Sequence, residues 1–248
     1  MARTARVKSI SGIFHIMLRG IDKQDLFLSQ SDYETFIRYL RRVQKKKNFN
    51  LFAYCLMPNH VHLLLMEKDN DPGSSLQCLE ISYAQYFNRT YNRVGHVFQN
   101  RFKSEPINDD PYFITVTRYI HYNPVKAGLT KHIYQYYWSS IHEYKTPTGL
   151  VNTDFTIKLF GDIETFYEYH QIIPEEKCLD YENKQVISDE EAELLIHSVV
   201  STQDFHTYSS DRQTEIIKRI KAKTGVSISQ MERVLGISKY YIHKSLIE

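Results

Sequence analysis

The stretch LFAYCLMPNHVHLLLM, residues 51–66, decides the fold. Its two apolar runs, 51–57 and 60–66, have the length of strands, and the Pro58-Asn59 pair between them is a turn signal. The stretch therefore predicts a β-hairpin. In an extended chain, residues two apart point the same way, so His60 and His62 share a face, while Val61 and Leu63 turn into apolar packing on the other. Two imidazoles side by side are a ready pair of metal ligands. The same pair also suits a solvent-facing strand, so the motif alone is weak.

Working outward, IFHIMLR (13–19) reads as a strand ending at Gly20. Residues 32–47 carry Phe36, Ile37, Leu40 and Val43 at helical spacing, with Ser31 or Asp32 as cap and Lys45, Lys46 and Lys47 at the negative end of the helix dipole. Residues 74–93 read as a second helix and 96–106 as holding a further strand. A third helix is expected over 110–122, stopped by Asn123-Pro124, because a residue before proline avoids helical geometry. Strand, helix, hairpin, helix, strand, helix is the order of an α+β, ferredoxin-like split-βαβ antiparallel sheet, expected here with its helices on one face.

Composition limits the function classes. Nine Gly, seven Pro and 42% hydrophobic residues in 248 fit a folded chain with a real core. Three scattered cysteines, Cys55, Cys78 and Cys178, form no CxxC pair, which fits a reducing compartment and argues against a zinc ribbon. The start MARTARVK leads into no apolar stretch of signal-peptide type, and no run approaches a membrane span, so a cytoplasmic protein is expected. Net charge is only +2, but it is unevenly spread. Residues 1–50 hold 11 Lys/Arg against 4 Asp/Glu, 151–210 hold 3 against 13, and 211–248 hold 8 against 4. Basic ends attract phosphate backbones.

Residues 211–248 read as a separate module. Helical patterns at 212–223, 227–235 and 238–247 are separated by Gly225 and Gly236, and SISQMERVLGISKYYIHKSL (227–246) has the length and central glycine of a helix-turn-helix. Its second helix presents Lys239, Tyr240, His243 and Lys244 as candidate DNA contacts. The expected organisation is a domain over 1–145, a partly acidic connecting region over 146–210 and this module over 211–248.

The second chemical signal is RYIHYNP, residues 118–124. Tyr119 and Asn123 are i and i+4, which delivers a phenol and an amide to one helix face. Taken with MPNHVHLLL (57–65), GHVFQNRFKS (95–104), RYIHYNPVKAGL (118–129) and YYWSSIHEY (136–144), the chain resembles the single-tyrosine HUH-class transposases, IS200-like and most similar to the REP-associated branch. The resemblance covers residues 10–145. It implies Tyr119 as the nucleophile and His60, His62 and Asn123 as ligands of Mg²⁺ or Mn²⁺. The implied substrate is single-stranded DNA with hairpin structure, cleaved and rejoined through a 5′-phosphotyrosine. No nucleotide cofactor is implied, in keeping with the lack of a Walker motif. Arg101, Lys103 and Arg118 are candidate DNA contacts, and relatives include monomers and homodimers. The alternative is a non-catalytic DNA-binding regulator derived from a transposase.

Overall fold

Alternation along the central strands sorts their side chains onto two buried faces. The computed structural model describes residues 7–67, 72–174, 178–180, 188–224 and 226–247, without the side chains of His243 and Ile247. Strands β1 (Ile13–Arg19), β2 (Asn50–Met57), β3 (His60–Met66) and β4 (Lys103–Ile107) form one antiparallel sheet in the order β2-β3-β1-β4. Helix α1 (Gln30–Lys47) joins β1 to β2, and α2 (Gly73–Thr90) joins β3 to β4. This is the split-βαβ arrangement expected from the hairpin and its flanks.

On one face Phe14, Ile16, Leu18, Leu56, Val61 and Leu63 pack against Phe36 and Leu40 of α1 and Leu76, Leu79 and Tyr83 of α2. On the other, Ile13, Phe52, Ala53, Cys55 and Leu64 pack against Phe113, Val116 and Ile120 of α3 (Asp110–Lys126). Helices thus cover both faces, not one as expected. Two-sided burial is also why these strands read as continuous apolar runs rather than alternating ones. A register shift between Leu51 and Ala53 puts Phe52 and Ala53 into the same cluster, the one under α3.

The helix ends follow local chemistry. Helix α1 starts after Ser29, earlier than predicted, and the Asp32 carboxylate accepts the Leu28 and Ser29 N–H groups at 2.8 Å each. Helix α3 runs through Pro124 instead of stopping before it. Proline removes only its own N–H bond, and the next turn is closed by Ala127 N–H to the Asn123 carbonyl and Leu129 N–H to that of Pro124, both 2.9 Å. Pro106 is tolerated in β4 because β4 is an edge strand.

The chain divides into two compact units at Asp180/Tyr181. The segment 146–210, expected as a connecting region, is shared between them. Helices α4 (Thr153–Phe160) and α5 (Ile163–Tyr169) belong to the first unit, where Phe160 and Phe166 join its core. Helices α6 (Asp189–His197) and α7 (Thr202–Phe205) share a separate core with α8 (Ser210–Thr224), α9 (Ile228–Leu235) and α10 (Lys239–Ile247). Gly236, at φ +66°, makes the left-handed turn between α9 and α10. Gly225, predicted to precede α9, lies outside the described residues. Among the described residues no helix is long and apolar enough to cross a membrane.

Candidate functional site

The face of the sheet under α3 is apolar except at one end. There β3 contributes His60 and His62, β1 contributes His15, and α3 sets Tyr119 against His15 and His62. Ring centroids are 5.0 Å apart for His60 and His62, 5.9 Å for His62 and Tyr119, and 5.2 Å for His15 and His62. The strand period brings the two predicted histidines together, and α3, packed on the same face, carries Tyr119 to them. Asn123 follows one turn later, buried, with its Nδ2 donating to the Tyr119 carbonyl at 3.0 Å. That bond uses the amide nitrogen, whereas a cation would take the amide oxygen.

Burial sets the electrostatics. Desolvation pulls the His60 imidazole down to about 4, outweighing the attraction of Asp180, and pulls His62 well below its usual range with help from neighbouring positive character. Both rings are therefore neutral near pH 7, the state in which imidazole offers a lone pair. Buried His62 Nε2 has no hydrogen-bond partner among the described residues, while its Nδ1 lies 3.0 Å from His15 Nε2. A buried polar atom without a partner is costly, and an incoming cation would satisfy it. No three His, Cys, Asp or Glu side chains converge as a metal-holding group among the described residues.

The Tyr119 phenol is only 2% exposed and donates to Asp180 Oδ2 at 2.9 Å. Its pKa is raised, first by burial and then by the Asp180 charge and hydrogen bond. Lys126 Nζ lies 3.7 Å from the same carboxylate oxygen and 5.0 Å from the centre of the Tyr119 ring. His15, Asp180 and Lys126 were not singled out from the sequence. A histidine in the apolar strand IFHIMLR was the available signal for His15. Asp180 carried none, lying 61 residues from Tyr119 in an acidic stretch.

The predicted DNA contacts fare unevenly. Arg101 and Lys103 are exposed. Arg118 is turned inward, 3% exposed, with its guanidinium 4.1 Å from the centre of the Tyr169 ring. In the second unit Tyr240 and Lys244 are exposed, and Lys239 pairs with Glu232 at 3.3 Å. The His243 side chain lies outside the described residues.

Residues 8–123, which hold the sheet, both histidines and Tyr119, match the family described as IS200-like transposase. This segment is similar to the IS200-like transposases. The chain is 30% identical over 105 residues to a putative REP-associated tyrosine transposase of Haemophilus influenzae, covering 38% of this chain and 60% of that one. It is 24% identical over 167 residues to the REP-associated tyrosine transposase of Escherichia coli, covering 67% of this chain and 94% of that one. Among solved structures, a REP-associated tyrosine transposase bound to a REP hairpin superposes with a TM-score of 0.53 at 20% identity, over 62% of this chain and 90% of that one. That likeness supports the fold. The IS200-like segment ends at residue 123, so the matched region reaches Asn123 but stops short of Asp180 and the second unit.

Proposed function

We propose that the protein is a metal-dependent single-tyrosine DNA transposase that cleaves and rejoins single-stranded DNA beside hairpins. The observation that carries this reading is the meeting of Tyr119 with His62, itself beside His60, on one sheet face of an IS200-like segment. The hairpin substrate is supported by the solved relative bound to a REP hairpin.

His60, His62 and the amide oxygen of Asn123 would hold Mg²⁺ or Mn²⁺, whose chemistry is to neutralise charge on the scissile phosphate. The chain's own part begins with the Tyr119 proton. The phenol is far too weak an acid to ionise unaided at neutral pH, and Asp180, already its hydrogen-bond acceptor, takes the proton. The phenolate oxygen attacks phosphorus, the bond from phosphorus to the 3′ oxygen breaks with its electron pair on that oxygen, and the 3′ oxygen takes a proton from water to leave as a hydroxyl. The downstream strand stays joined to Tyr119 through its 5′ phosphate. A second 3′-OH reverses these steps and releases Tyr119, so no nucleotide cofactor is needed. Arg101 and Lys103 contact the DNA backbone, and α10, through Lys239, Tyr240 and Lys244, gives a second DNA contact of helix-turn-helix type.

The near-complete burial of Tyr119 favours one other reading, a DNA-binding regulator without strand cleavage. A covalent-adduct gel separates the two. Wild-type protein with labelled hairpin DNA and Mn²⁺ is expected to give a DNA-linked band, absent in Tyr119→Phe and in chelator. Hairpin binding without a band across a varied hairpin library would support the regulator.

A further inference from the structure

The sheet register lines up a third histidine and a carboxylate behind the proposed ligand pair. His15 lies directly opposite Glu105 in the β1–β4 pairing and diagonally across from His62 in the β1–β3 pairing, where Met17 is the direct partner. His15 is fully buried, with Nε2 3.0 Å from His62 Nδ1 and Nδ1 3.7 Å from Glu105 Oε2. The Leu179 N–H holds the same carboxylate oxygen at 3.2 Å.

We propose that Glu105 and His15 form a positioning relay that keeps the proton of His62 on Nδ1, so that Nε2 presents its lone pair to a divalent cation. The proposal rests on the cation reading of His60 and His62 above. Its logic is one of donors and acceptors. Each neutral imidazole has one N–H and one lone pair. His62 Nε2 has no partner among the described residues. A proton there would be a buried orphan donor, whereas a proton on Nδ1 is received by His15 Nε2. His15 must then carry its own proton on Nδ1, facing the carboxylate. The opposite arrangement would set the His15 Nδ1 lone pair against the negative charge of Glu105. At 3.7 Å the His15 Nδ1–Glu105 contact is beyond hydrogen-bond length, so His15 Nδ1 also has no hydrogen-bond partner among the described residues, and it is the attraction of its N–H to the Glu105 charge that decides between the two arrangements. Burial works against the Glu105 charge, but His15, Tyr112 and the Leu179 N–H together hold its carboxyl below the usual range, so the charge is present at neutral pH. A carboxylate behind a ligand histidine fixes the tautomer and strengthens the donor, and here an extra imidazole lengthens that connection by one step.

The test uses full-length protein and two readouts. The first is long-range proton–nitrogen NMR of the His62 ring in metal-free protein, assigned by difference with His62→Asn. The second is Mn²⁺ binding by wild type, Glu105→Gln, His15→Leu and His15→Gln. The expected results are an Nδ1-protonated His62 without metal, a Mn²⁺ dissociation constant raised about 10- to 100-fold in His15→Leu, a smaller rise in Glu105→Gln, and partial recovery in His15→Gln, whose amide oxygen still accepts from His62. An Nε2-protonated His62, or His15→Leu binding Mn²⁺ like wild type, overturns the relay. If His15→Leu does not fold, wild-type affinity in Glu105→Gln overturns it instead. Failure of wild type to bind Mn²⁺ overturns the cation reading, and the metal-free ring spectrum separates that failure from failure of the relay.

Discussion

At the scale of single residues, Tyr119 is the group whose surroundings most constrain its chemistry. Its phenol pKa is raised by burial and by the Asp180 carboxylate, and the two effects respond differently to mutation. Asp180→Asn removes the charge and leaves the burial. The Tyr119 pKa is expected to fall, as read by NMR of ring-labelled tyrosine against Tyr119→Phe, while adduct formation slows because the proton acceptor is gone. An unchanged adduct rate would exclude Asp180 as that acceptor. A second buried chain has a structural role. The His121 ring sits between Ser140 Oγ at 2.8 Å and His170 Nε2 at 2.9 Å, and His170 Nδ1 donates to the Phe166 carbonyl at 2.8 Å. Burial, with repulsion from Arg118 and against the pull of the Phe166 carbonyl, lowers His170 from 6.5 to about 4. Below pH 6.5 the unfolded chain takes up a proton that the folded chain refuses. Stability is therefore expected to fall as pH drops from 6.5 towards 4, by on the order of 3 kcal/mol from this residue. Urea melts across that range, with His170→Phe as reference, check it.

At the scale of elements, the start of α1 depends on one buried carboxylate. Asp32 accepts two backbone N–H groups and the hydroxyls of Tyr86 and Tyr91 at 2.9 and 2.7 Å. Burial opposes its charge, but these four donors outweigh burial and lower its pKa below 3.8. Asp32→Ala would leave buried donors unpaired and is expected to cost about 3 kcal/mol or more at pH 7. Because the folded pKa is depressed, this contribution is complete above the ordinary carboxylate pKa and disappears as pH falls through the lower folded value. The difference between wild type and Asp32→Asn in denaturant melts should therefore narrow below about pH 4. The sequence pattern located α1 but placed its cap two or three residues late. Ser29, Ser31 and Asp32 are all good cap residues, and only the tyrosines arriving from α2 and its end decide between them. Helix α3 shows the same dependence on context. A proline rule ends it at residue 122, but the packed and capped turn beyond Pro124 carries it to Lys126, which reaches Asp180.

At the scale of the whole molecule, two separate cores imply two separable stabilities. Calorimetry of the full chain is expected to show two transitions. Phe36→Ala should lower only that of the first unit and Ile217→Ala only that of the second, at about 3–5 and 2–5 kcal/mol respectively. A single transition moved by both variants would mean that the units fold as one. The acidic composition of 151–210 suggested a connector. Yet Phe160 and Phe166 anchor its first part in one core and Ala192, Ile196 and Phe205 anchor its second part in the other, because a few well-spaced apolar residues outweigh the charge around them. By itself the sequence determined the hairpin, the order of elements along the chain, the pairing of His60 with His62 on one face and the i, i+4 placement of Tyr119 and Asn123, since each follows from a period of two or of 3.6 within a short stretch. Only the tertiary structure decided that α3 covers the second face of the sheet, that His15, Glu105, Lys126 and Asp180 join the site, and that Arg118 turns inward. Those contacts join segments tens of residues apart or depend on which way a helix packs, and no local period in the chain encodes them.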